Sequence, residues 1–191
     1  MDTFLFRAVN DLAHLSPTLD AIGVFLSKYD EQIIVGTIAA CVLVRIFMQP
    51  KLLKNWIMGA SAAVSGGIMY WLAAESNFFL YFHHARPPFV LQAVNLLGKI
   101  PPAQQFASFP SAHAMFFFSL AAAAFVFDRK VGIITGIVAL LLSLSKLFVG
   151  VHWPSDLLVG ALAGIALGAA ISFSASALAK KFIPEAVKPR V

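Results

Sequence analysis

The 191-residue chain is poor in charge. Asp, Glu, Lys and Arg together make up 12% of it, against about 25% in soluble domains. So little charge excludes a solvated surface over most of its length. It also excludes the broad basic stripe of a nucleic-acid-binding protein, and the net charge is only +5. Cysteine is nearly absent. The one residue, Cys41, lies in an apolar run, so no intrachain disulfide can form and the redox compartment is not legible. No basic segment leads into a long apolar core near Met1, and a cleavable signal peptide is not expected. There is no internal repeat and no low-complexity tract. The paired His83 and His84 lack metal-ligand spacing and have no cysteine or glutamate beside them, so neither a metal nor another cofactor is expected.

What remains is hydrophobic. Such residues form 60% of the chain, more than a small soluble domain could cover. A helix needs about 20 mostly apolar residues to cross a bilayer, and five segments qualify. They run from about Gln32 to Met48, Trp56 to Ala74, Pro110 to Phe127, Val131 to Gly150 and Pro154 to Leu178. The expected fold is an all-α integral membrane bundle of five or six transmembrane helices, forming a single domain over 1–191. Residues 1–30 are mixed in character and read as interfacial or re-entrant helices, with a tilted sixth span as the alternative. Residues 182–191 read as a cytoplasmic tail. Lys51, Lys54, Arg129, Lys130, Lys180, Lys181, Lys188 and Arg190 all fall on one side of five spans, and the positive-inside rule makes that side cytoplasmic. The fifth span carries Gly160, Gly164 and Gly168 at four-residue spacing, a strip for close helix approach. Packing within the bundle is the first reading and a homodimer the second. Gly59, Ala63 and Gly67 form a similar strip in the second span, which supports packing. Trp153, Trp71 and Tyr81 read as interface aromatics, and Phe116 to Phe118 as packing or lipid-facing residues.

Three clusters fall on the opposite, outer side. They are Arg86-Pro87, Pro110-Ser111-Ala112-His113, and Ser145-Lys146 followed by His152 and Asp156. Ionisable groups at membrane depth are functional candidates by default. Arg86 offers a planar fork for phosphate oxygens, Lys146 a point charge and Ser111 a hydroxyl. Pro110 and Pro154 stand where helices begin, so two helix N-termini also face this anion site. Asp156 can reach back to one nitrogen of His152 and leave the other free to attack. His113 is placed to protonate a leaving oxygen. Taken singly, each has a plain reading: Ser111 as a helix cap, Asp156 as an N-terminal helix charge, a histidine as a polar anchor. Their convergence on one side favours phosphoryl transfer. His83 and His84 line the pocket or sit at the interface, and His14 is structural.

At these clusters the chain resembles the type-2 phosphatidic acid phosphatase superfamily, whose motifs are K-x6-R-P, P-S-G-H and S-R-x5-H-x3-D. The resemblance implies His152 as the nucleophile forming a phosphohistidine, Asp156 as its orienting carboxylate and His113 as the general acid. It implies Arg86, Ser111 and Lys146 as phosphate ligands, and no metal. Three positions depart: Phe79 stands at the first lysine, Ala112 at the motif glycine and Lys146 at the arginine. Lys99 is a candidate to compensate. The missing lysine, the phrases Asn10-Asp11-Leu12-Ala13-His14 and Leu19-Asp20, and Tyr81-Phe82 before Arg86 resemble the bacitracin-resistance branch of undecaprenyl pyrophosphate phosphatases. The function this implies is hydrolysis of undecaprenyl pyrophosphate at the outer face of a bacterial inner membrane, with lipid as substrate and surroundings. The alternatives are another lipid phosphate (phosphatidylglycerol phosphate, phosphatidic acid or a lipid A phosphate), transfer of phosphate to an acceptor, and a non-catalytic lipid-binding protein of the same fold.

Overall fold

The computed structural model describes residues 1–49, 53–75 and 81–182. Lys51, Phe79 and the expected tail beyond residue 182, with Lys188 and Arg190, lie outside them. The described residues form an all-α membrane bundle. Its helices are α1 (Asp2–Asn10), α2 (Pro17–Lys28), α3 (Asp30–Met48), α4 (Leu53–Glu75), α5 (Ala112–Phe127), α6 (Arg129–Phe148) and α7 (Pro154–Phe182). Among the described residues, α3, α6 and α7 are each long and apolar enough to cross a membrane by themselves. The five helices from α3 to α7 correspond to the five expected spans. The helices before them hold 9 and 12 residues. At about 1.5 Å per residue neither reaches across a hydrocarbon core of about 30 Å. The first thirty residues therefore supply no sixth span.

Helix α5 is the axis of the bundle and packs on α4, α6 and α7. Its 16 residues are apolar all round because neighbours surround it, with Ala114, Phe117, Ala123 and Ala124 wholly buried. Phe117 joins Ile34, Ile38, Met58 and Leu142 in the main core, which answers the Phe116 to Phe118 reading in favour of packing. The glycine strip of α7 lies against α5. A Cβ at Gly160, Gly164 or Gly168 would come within 3.0 Å of the carbonyl oxygens of Ser111, Met115 and Ser119. Those glycines are buried inside the bundle, which favours the first reading, packing, over the second, a homodimer. The strip in α4 behaves differently. Gly59, Ala63 and Gly67 line an open apolar cleft beside α3, and nothing stands within 4 Å of a Cβ at Gly67.

Polar contacts fix the two ends. At one end Arg45 pairs with Asp128 at 2.8 Å, and Asn55 donates to the carbonyls of Arg45 and Gln49. At the other, α1 is tied to the loops. Asp2 accepts from the backbone and hydroxyl of Ser155, Arg7 donates to the carbonyls of Gln92 and Ala93, and Asn10 bonds Asn95 and the Phe148 carbonyl. Trp153, expected at the interface, is buried instead. Its ring meets Phe6 at 5.5 Å between centroids and its indole N–H donates to the Ala85 carbonyl. Trp71 and Tyr81 are exposed, as interface aromatics would be.

Candidate active site

Two features of local sequence set the backbone. Helix α6 is closed off just past its end by Gly150, whose φ of 81° lies in the left-handed region that favours glycine. The Gly150 and Val151 N–H groups then donate back to the carbonyls of Leu147 and Lys146, the double bond of a Schellman cap. This turn delivers His152 to the bundle end directly after Lys146 has left it. Across from it, the Ser111 hydroxyl accepts from the Ala114 N–H and starts α5, placing His113 in its first turn. The Ser111 N–H donates to the Asp156 carbonyl, so the starts of α5 and α7 are bonded to each other.

The three clusters meet. The His113 and His152 rings are 6.4 Å apart between centroids. Arg86 is buried, and its guanidinium donates to the carbonyls of Gln104, Ala107 and Val151 and to His152 Nε2, the last at 3.0 Å. Asp156 is fully buried, with Oδ2 3.4 Å from His152 Nδ1. These partners fix the tautomer. Arginine can only donate and the carboxylate accepts, so Nδ1 carries the proton and Nε2 presents a lone pair toward Arg86. Burial, with the neighbouring Arg86 charge, pushes the His152 imidazole down to about 4, against the pull of Asp156. Burial brings the Arg86 guanidinium to about 10, and it stays charged at neutral pH.

A consequence for pH follows. The neutral ring is the form with a free lone pair, and its population falls only as pH drops through about 4. An acid limb belonging to His152 should therefore lie well below the ordinary histidine value of about 6.5. A profile of kcat/KM between pH 3.5 and 8 on a substrate whose own phosphate titration is measured separately checks this. A limb at about 6.5 that tracks His152 would contradict it.

These side chains border a cavity of about 490 Å³, walled by Arg86, His113, Lys146, His152, Lys28 and Lys99 among others. Lys99, the candidate to compensate for the missing lysine, does reach its wall. Lys146 is turned aside, with Nζ 2.5 Å from Asp30 Oδ2 and 2.9 Å from the Ser27 carbonyl. Ser111, expected as a phosphate ligand, is wholly buried and is not on the cavity wall. Its hydroxyl oxygen is turned to the α5 backbone as a cap, the plainer of its two readings.

Three residues join the site beyond the candidates, and of them only His84 reads from the sequence as lining the pocket or sitting at the interface. His84 Nδ1 lies 3.0 Å from Asp156 Oδ1, and the Ser108 hydroxyl donates to Asp156 Oδ2, which the Trp153 N–H also reaches. The adjacency of His84 to Arg86 was the only signal for the first, and Ser108 had none. The third, Asp30, comes from the segment set aside as interfacial. A cavity of about 270 Å³ shares His113 and Gln104 with the first. It also shares Glu31, Tyr70 and Phe116 with the apolar cleft of about 510 Å³ between α3 and α4.

The pattern of the PAP2 superfamily matches residues 54–178. The chain belongs to the PAP2 superfamily. That stretch runs from the start of α4 nearly to the end of α7 and contains Arg86, His113, Lys146, His152 and Asp156. An undecaprenyl-diphosphatase, BcrC of Bacillus subtilis, is 29% identical over 188 residues, covering 98% of this chain and 91% of that protein. An undecaprenyl-diphosphatase of Sulfolobus acidocaldarius is 30% identical over 174 residues, or 88% and 74% of the two chains. Among solved structures, Aquifex aeolicus LpxE superposes with a TM-score of 0.62 at 25% identity, covering 91% of this chain and 94% of that one. A membrane-embedded lipid phosphatase of this superfamily is the common denominator.

Proposed function

We propose that the protein hydrolyses undecaprenyl pyrophosphate to undecaprenyl phosphate through a phosphohistidine on His152, without a metal ion. The observation that carries the reading is the fixed tautomer of His152, whose lone pair faces the cationic cavity. Substrate phosphate draws the Arg86 fork onto its own oxygens and uncovers Nε2. The nitrogen then attacks the terminal phosphorus. The bond to the bridging oxygen breaks, and His113 gives that oxygen its proton as lipid monophosphate leaves. Water attacks the phosphohistidine, His113 takes the water's proton, and inorganic phosphate departs with His152 restored. Arg86, Lys146 and the N-terminus of α5 stabilise the charge on the transferring group, with Ser111 holding that terminus in place.

The apolar chain of the lipid has a place in this scheme. The cleft between α3 and α4 joins the cavity through walls shared at Tyr70, Phe116 and His113, so a lipid enters sideways with its head group in the cavity. A Cβ at Gly67 meets nothing within 4 Å, so a leucine there would project into the cleft. Gly67→Leu should cut turnover of the long-chain lipid by about tenfold or more, because remote binding energy is lost. It should leave hydrolysis of soluble p-nitrophenyl phosphate unchanged. Equal loss on both substrates would remove the cleft from the path.

The site lies at the end opposite Arg45, Lys54, Arg129, Lys180 and Lys181, which favours an outward-facing site in a bacterial inner membrane. The deciding experiment is phosphate release from undecaprenyl pyrophosphate by purified protein in detergent, with and without a chelator, beside phosphatidylglycerol phosphate, phosphatidic acid and a lipid A phosphate. Preference for the diphosphate with no effect of chelator is expected. Loss of activity on chelation would overturn the metal-free reading, and preference for another lipid would replace the substrate.

A further inference from the structure

Asp30 opens α3 and is 4% exposed. Its Oδ2 lies 2.5 Å from Lys146 Nζ on α6 and 3.7 Å from His113 Nε2 on α5. Its Oδ1 accepts the Glu31 N–H. Three helices thus bring a carboxylate, an ammonium and an imidazole to one point on the cavity. A buried carboxylate beside a phosphate pocket repels the substrate unless it acts through its neighbours. The other charged or titratable groups facing His113 are Arg86 and His152, with the exposed Glu31 at the mouth beyond Asp30.

We propose that Asp30 is a positioning residue of the phosphate site, holding Lys146 and orienting His113 once phosphate draws the ammonium away. The inference rests on the phosphatase reading above. Oδ2 is paired with Lys146, which the Ser27 carbonyl also holds. An arriving phosphate gives the ammonium a stronger partner. Oδ2 then closes on the Nε2–H of His113, which leaves Nδ1 for the leaving oxygen. Asp30 takes no proton in either step. His113 loses its proton to the leaving group and recovers one from the attacking water. The exchange makes the acid ready only when phosphate is bound, and it gives the first turn of the first span a part in the chemistry.

The test compares wild type, Asp30→Asn and Asp30→Glu in detergent on p-nitrophenyl phosphate, an activated leaving group, and a short-chain alkyl phosphate, a poor one. In Asp30→Asn, kcat should fall at least about tenfold more on the alkyl phosphate than on the activated ester, because only the former needs the acid. KM should stay level or fall, since Lys146 is released toward phosphate. Asp30→Glu should recover part of the lost ratio. Equal loss on both substrates, with or without a lower melting temperature, would overturn the proposal. If the amide variant does not fold, Asp30→Ser must show the same split, and failure of both to fold assigns Asp30 to structure and ends the idea. Wild type that releases no phosphate from any substrate removes the phosphatase reading and this one with it. Active wild type with unsplit losses removes this one alone.

Discussion

His152→Ala is expected to lower phosphate release by about 10⁴-fold or more while the protein keeps its fold. The size follows from the role. Without a nucleophile the residual rate comes only from binding and electrostatic stabilisation, as in other enzymes stripped of theirs. Retention of the fold follows from the partners left behind. Arg86 still donates to the carbonyls of Gln104, Ala107 and Val151. Asp156 still accepts from Ser108 and the Trp153 N–H and still meets His84. No buried group is orphaned, so the melting temperature should move little. Phosphate release, lipid binding and thermal melting on the same preparation check the three parts. Wild type should also form an acid-labile phosphoenzyme that the variant lacks. Substantial turnover in the variant would show that phosphate is transferred without His152, and the mechanism would fall.

Asp156→Asn should be nearly as severe, at about 10³–10⁴-fold in kcat, for a different reason. An amide can turn a donor toward His152 Nδ1 where the carboxylate only accepts. The proton of the neutral ring then moves to Nε2, and the attacking lone pair is lost. Arg86 Nη1 lies 3.0 Å from that nitrogen and would meet an N–H instead of an acceptor. The same change weakens the bonds from Ser108 and Trp153 and the contact to His84, so some stability should go with it. The two effects separate by KM and kcat on p-nitrophenyl phosphate below the melting temperature. A tautomer effect lowers kcat with little change in KM, and a kcat within tenfold of wild type would refute the orienting role.

The elements of the bundle could be read because a bilayer leaves few choices. All-round apolar runs must be helices there, since no water is present to satisfy open backbone groups. The candidate residues drew notice because each carries costly chemistry at a helix end. His113, Lys146, His152 and Asp156 stand out from apolar surroundings for that reason. Trp153 was misplaced because an indole suits both a membrane interface and a core with one acceptor, and only Phe6 and the Ala85 carbonyl distinguish them. Ser111 was assigned to phosphate because a hydroxyl before a helix serves equally as ligand and cap.

The chain order alone was enough for the helical class, the membrane and the reaction type, because hydrophobic runs and reactive residue types are local properties. Contacts between distant segments decided the rest. Asp30, His84 and Ser108 enter the site across 116, 72 and 48 residues respectively to Lys146 and Asp156 (146 − 30 = 116). The α7 glycines became a packing face rather than a dimer face through their contact with α5, and the α4 glycines became the wall of a cleft. A side chain's chemistry is written in its type, but the partner that holds or frees it is chosen only when helices far apart in the chain are brought together.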